Sequence, residues 1–92
     1  MPEKISKDVL KGLRALANER RLKIIGALSE KGHMNVGDIA KAINLSFKST
    51  SRHLQMMANA DLLDQTRSSV RTFYTLNKQH PLFRSNFLTL FR

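Results

Sequence analysis

Apolar positions follow a helical period through the first two thirds of the chain and then switch to strict alternation. Val9, Leu10, Leu13, Leu16 and Ala17 form a stripe that predicts a first helix over 7–17. Asn18 has the side chain of an N-cap. Leu22, Ile24, Ile25 and Leu28 give a second helix, over 19–30, its apolar face, and Gly32 supplies a left-handed stop. His33, Met34 and Asn35 read as a short extended link. Asn35 caps a third helix over 36–43, and Asn44 suits a turn that needs positive φ. Ser46 caps a fourth helix over 47–60, and Asp61 follows its end. Beyond it, 62–67 and 70–76 alternate as two strands, with Ser68-Ser69 as the hairpin turn. Pro81 fits the first turn of a last helix that runs to about Phe91. The predicted class is mainly α with a small β-hairpin: four helices, a two-stranded wing and a C-terminal helix in one domain over 1–92. No internal repeat, low-complexity tract or linker interrupts it.

Composition narrows the chemistry. At 92 residues and 41% hydrophobic content, the chain suits one folded domain with a single core. It has no cysteine. That removes disulfides, thiolate metal ligands and a cysteine nucleophile together. No apolar run approaches the ~18 residues that cross a bilayer, and Met1-Pro-Glu-Lys-Ile5 lacks the apolar region of a signal peptide. A cytoplasmic protein without membrane contact is expected.

Charge points to a partner. The formal net charge is +9. No acidic residue stands between Ile39 and Ala60 or after Asp64, while Lys41, Lys48, Arg52, Arg67, Arg71, Lys78, Arg84 and Arg92 do. Such a bias favours a polyanion. Arg20, Arg21 and Lys23 open the second helix against its dipole; Glu19 and Asp38 are the expected compensation, with a phosphate as the alternative.

The segment 36–54 sets two short helices about a tight turn, and the second is rich in basic and hydroxyl residues. This is the layout of a helix-turn-helix, whose second helix fits the major groove of double-stranded DNA. On a helical wheel Lys48, Ser49, Arg52 and Gln55 share one face, with Phe47, Thr50, Leu54 and Met57 opposite. Arg52 has the fork that pairs with guanine O6 and N7, and Gln55 the amide that pairs with adenine. Ser49 and Ser51 are small enough for close approach to base edges, and Lys48 suits a base or a phosphate. Arg52 on phosphate alone is the competing assignment. Ser46 is a helix cap whose neighbouring amides could also hold a phosphate. His53 lies at the flank, to pack beneath the helix or to reach DNA. Phe47 is on the inner side by angle, but the first turn can protrude, so it stays open. Arg67, Ser68 and Arg71 sit about the hairpin turn, where a wing would meet the backbone or minor groove; a charged, solvated β-edge is the plainer reading.

These residues also carry a resemblance. Leu16-Ala-Asn-Glu-Arg-Arg-Leu-Lys-Ile-Ile25, Met34-Asn-Val-Gly-Asp-Ile-Ala40, Leu45-Ser-Phe-Lys-Ser-Thr-Ser-Arg-His-Leu54 and Asp61-Leu-Leu63, in that order, resemble the ArsR-type winged-helix transcriptional regulators. The likeness covers about 7–76. It implies a homodimer on a palindromic operator, usually a repressor, with the fourth helix in the major groove and dimerisation through the first and last helices. The departures concern metals. Where metal-sensing members carry a Cys-x-Cys pair this chain has Asn35 and Gly37, and 77–92 offers only His80 as a ligand. No metal and no cofactor are expected, and any small-molecule effector is unknown. Thr50 stands where the family usually has an apolar residue.

The ends supply a candidate dimer surface independently of the resemblance. Phe83, Phe87, Leu90 and Phe91 follow an i, i+4, i+7, i+8 pattern, and Ile5, Val9 and Leu13 lie on a stripe at the other end. A domain this small has few ways to cover both, so a two-fold pairing of about 5–17 with 81–91 is expected. The alternative is that the last helix caps its own core. An enzyme is not expected: His33, His53, His80 and the serines have no recognisable partner spacing, and no phosphate loop or paired-carboxylate motif occurs. A winged helix that binds protein instead of DNA is the competing function.

Overall fold

The computed structural model describes residues 6–91, with the side chains of Thr89 and Leu90 excepted. Four helices come first in the chain: α1 (Lys7–Leu16), α2 (Glu19–Lys31), α3 (Val36–Ile43) and α4 (Phe47–Asn59). Each begins where a short polar side chain satisfies a free backbone amide. Ser6 Oγ accepts from Val9 N at 3.1 Å, and Asn18 Oδ1 from Arg20 N and Arg21 N at 3.0 and 3.1 Å. Asn35 Oδ1 accepts from Asp38 N at 2.8 Å and Ser46 Oγ from Ser49 N at 3.1 Å. Gly32 ends α2 with φ of 89°, and Asn44 ends α3 in the left-handed region with φ of 56° and ψ of 54°. Asn44 therefore sets the sharp turn that aims α4.

The sheet has three strands rather than the two read from sequence. The link His33–Asn35 is β1, and it pairs antiparallel with β3 (Arg71–Leu76), which also pairs with β2 (Leu63–Ser68), giving the order β1-β3-β2. A three-residue strand shows no alternation of its own; its partner lies about forty positions downstream, Met34 opposite Tyr74. In the hairpin, Ser68 faces Arg71, so the turn residues are Ser69 and Val70 and not Ser68-Ser69. Ser69 carries the positive φ, 57°, that such a two-residue turn demands.

The core gathers Leu16, Ile24, Ile25, Leu28, Ile39, Ile43, Leu54, Met57, Leu62, Tyr74 and Leu76. Leu22, expected on the inner face of α2, is exposed. In α1, Gly12 and Leu16 are the buried residues, while Leu10 and Leu13 are each 40% exposed.

The C-terminal helix is corrected. Residues 78–85 form turns, followed by a 3₁₀ helix over Asn86–Phe91. Side chains take backbone bonds that an α-helix would have used. Asn77 Oδ1 accepts from Gln79 N, His80 Nδ1 accepts from Leu82 N, and Ser85 Oγ donates to Leu82 O and accepts from Phe87 N. The segment locks onto α1 at Gly12, where a Cβ would stand 2.8 Å from His80 Cε1 and 2.9 Å from Leu82 Cδ1. Phe83 is buried in its own chain, and Phe87 and Phe91 pack half-buried against the same core. Phe83 is thus withdrawn from the expected dimer surface. Ile5 and the Leu90 side chain lie outside the described residues.

Thr50 is fully buried, and its Oγ1 has no hydrogen-bond partner among the described residues. A buried hydroxyl left unpaired costs about 1–3 kcal/mol. Replacing it by the isosteric Thr50→Val should raise stability by about that amount, read as a higher urea midpoint at unchanged slope; a lower midpoint would mean that the hydroxyl has a partner in solution.

Candidate nucleic-acid interface

Helix α4 is divided lengthwise. Thr50, Leu54 and Met57 are 0% exposed, and the helix meets α1, α2, α3 and β2. The opposite side is open. Lys48, Arg52 and Gln55 are exposed, with Ser49 and Ser51 half-buried beside them. The wheel derived from sequence holds for Lys48, Arg52 and Gln55 on the open side and for Thr50, Leu54 and Met57 on the inner side, with Ser49 at the edge between them. Phe47, inner by angle but left open, protrudes and is 62% exposed. The reason is position: Ser46 is the cap, so Phe47 opens the first turn and no preceding turn exists to pack against.

Phe47, Lys48, Ser51, Arg52 and Gln55 together line one shallow depression of about 380 Å³. Among these residues there are two cations and no acid. Ser46 is exposed at the N-terminus of α4, its hydroxyl engaged as the cap. The structure therefore brings six of the expected contact residues, Ser46, Lys48, Ser49, Ser51, Arg52 and Gln55, to one helix end and face.

His53 takes the inner option at its flank. It is half-buried, and Arg21 Nε donates to its Nδ1 at 3.1 Å. Arg21 also donates from Nη1 to the Ala15 carbonyl at 3.1 Å. This guanidinium ties the end of α1, the start of α2 and the middle of α4. The charge at the start of α2 is thus answered in part by an imidazole and a carbonyl, where Glu19 and Asp38 were expected. Sequence gave no direct sign of this link, because its partners are 32 residues apart. Arg21 borders the cationic flank that holds Ser49, Arg52 and His53.

In the wing, Arg67, Ser68 and Arg71 are all exposed, and Val70 at the tip is 86% exposed. Arg67 faces Thr72 across the hairpin and Arg71 faces Ser68, so the two arginines project from opposite faces. Arg71 borders a surface shared with Phe47, Lys41, Asp38 and Gly37, which joins the wing to the start of α4. Arg67 is turned away from that surface. Among the described residues, no three of His, Asp and Glu lie close enough together to hold a metal ion.

Burial, then the positive charges of Arg21, Arg20 and Arg52, hold the His53 imidazole below its ordinary 6.5. A neutral imidazole is what an Nδ1 acceptor requires. The lowered value means that the unfolded chain binds a proton more readily than the folded one.

Comparison with known proteins agrees with this geometry. Residues 18–65 match the bacterial regulatory protein, arsR family. The chain is 32% identical over 73 residues to a cadmium resistance transcriptional regulatory protein CadC homolog of Staphylococcus aureus, covering 79% of this chain and 60% of that protein. It therefore spans less than two thirds of that relative. The crystal structure of the transcriptional repressor PagR of Bacillus anthracis superposes with a TM-score of 0.79 at 26% identity, over 94% of each chain. A homodimeric winged helix-turn-helix DNA-binding domain of Mycobacterium bovis, a possible ArsR-family regulator, gives 0.75 at 26% identity, over 99% of this chain and 83% of that one. This chain belongs to the ArsR family of bacterial regulatory proteins and has its winged helix-turn-helix fold.

Lowering pH should expose the His53 contribution. The stability tied to the neutral imidazole is whole above about pH 6.5 and is lost as pH falls through the lower folded-state value. In His53→Asn the amide oxygen still accepts from Arg21 but does not titrate. Urea midpoints at pH 7.5 and 5.5 should fall further in the parent than in this variant; equal falls would exclude His53 as the proton site.

Proposed function

We propose that this protein is a sequence-specific regulator of transcription that binds a palindromic operator in double-stranded DNA as a homodimer and acts as a repressor. The observation that carries the reading is the division of α4. One face is fixed in the core, and the other presents Lys48, Ser49, Ser51, Arg52 and Gln55 beside a cationic wing. A helix so placed is the part of a helix-turn-helix that enters the major groove. Arg52 and Gln55 carry the base-reading chemistry, while Lys48, the Ser46 end of α4, Ser68 and Arg71 hold the phosphate backbone on the α4 side of the wing and Arg67 holds it from the wing's other face. His53 contributes from beneath, as the group that steadies Arg21 against α4. The repressor assignment draws support from PagR. No enzymatic activity is assigned, and the cytoplasm is the compartment in which such a regulator meets its DNA.

The dimer is part of the same proposal. Leu10 and Leu13 leave an apolar strip open on α1, with Val9 half-buried beside it. Phe87 and Phe91 leave partly open edges at the C-terminal segment. Isologous contact of these surfaces would cover apolar area and set two recognition helices about a two-fold axis, which palindromic half-sites would match. The homodimeric relative from Mycobacterium bovis supports this arrangement.

Two experiments check these claims. In binding assays on a selected duplex and a random one, Arg52→Ala should collapse the affinity ratio by about tenfold, from the 1–3 kcal/mol of a bidentate contact, and keep non-specific binding. Arg67→Ala and Arg71→Ala should weaken both duplexes alike and lower the salt slope by about one each. An unchanged ratio in Arg52→Ala would move base reading elsewhere. A chain that selects no duplex at all would favour the protein-binding alternative. In sedimentation at micromolar concentration the parent should run as a dimer and Leu13→Glu as a monomer; a monomeric parent would refute the dimer.

A further inference from the structure

Phe47 is the one large aromatic side chain that the described structure turns outward at the candidate interface, with 62% of its surface exposed. Exposing a phenyl ring forfeits burial that the core could have used, so its surroundings indicate what covers it. The ring heads a row at helical spacing, Phe47, Ser51 and Gln55, along the open side of α4. Lys48 and Arg52 stand beside this row, and Arg71 and Lys41 border the ring from the wing and from α3. Asp38 lies on the same surface, so the ring has four cations and one carboxylate about it. The net positive surround fits a partner that is densely anionic and carries small apolar projections. The major groove of duplex DNA has one such projection, the 5-methyl group of thymine. Base faces are covered by stacking, so the methyl group is what a phenyl ring can meet without opening the duplex.

We propose that Phe47 reads thymine through its 5-methyl group and so sets sequence preference alongside Arg52. The inference rests on the DNA-binding reading above and adds the base that the aromatic side chain selects. Its position explains the division of labour. Phe47 and Arg52 are five residues apart, more than one turn, so they reach different steps of the groove. Ser51, one turn on from Phe47, is short and leaves the ring room to approach.

The test uses the full chain and works first from the DNA side. Duplexes are selected from a random library, and each thymine of the selected site is replaced in turn by deoxyuridine, which lacks only the methyl group. At fixed salt, the parent protein should lose about fourfold in affinity at one thymine per half-site, the worth of one buried methyl group. Phe47→Ala, in which an exposed side chain is shortened and the fold is checked by circular dichroism, should bind thymine and deoxyuridine duplexes equally at that position. A parent indifferent to every replacement would overturn the inference while leaving DNA binding intact. So would a variant that loses the same factor as the parent at the same thymine. Failure of the parent to enrich any duplex would overturn the underlying DNA reading, and the thymine contact with it.

Discussion

The structure depends on the burial of one face of a single helix. α4 offers a side to a partner only because Thr50, Leu54 and Met57 fix the other side against three helices and a strand. Protein interiors are packed at crystal-like density, so a helix held in this way has one orientation. That rigidity positions Arg52 and Gln55 without a further scaffold. It also explains how an unpaired hydroxyl at Thr50 is tolerated, since a buried apolar majority outweighs one orphaned polar group.

The turn before α4 and the wing after it follow from the same constraint. Asn44 in the left-handed region and the Ser46 cap fix where α4 starts. Leu62 and Leu63 carry the chain out of the core into β2, so the hairpin leaves from the end of the helix that it accompanies. Arg21 adds a polar tie from α2 to the middle of α4 through His53. This bond belongs to the support of the surface and not to its exposed face.

Most helical elements were legible because their signals are local. A capping side chain followed by an apolar period names both the start and the inner face, and α3 falls on Val36–Ile43 as the sequence reads. The rest depended on distant contacts. β1 is too short to alternate and exists by pairing with β3. The C-terminal segment has a helical pattern of phenylalanines, yet Asn77, His80 and Ser85 divert its backbone bonds into turns. At the candidate site, the wheel placed Lys48, Arg52, Gln55 and Thr50 correctly. It left Phe47 open because a wheel has no end, and the structure takes the protruding option. It missed Arg21 because the partner, His53, lies in another helix.

Mapping amide hydrogen exchange with and without a selected duplex tests the central claim most directly. Contact through the open face of α4 and the wing predicts added protection over 46–55 and 67–71, with the strip of Leu10 and Leu13 on α1 unchanged. Protection confined to α1 and the C-terminal segment, with the α4 face unaltered, would contradict it.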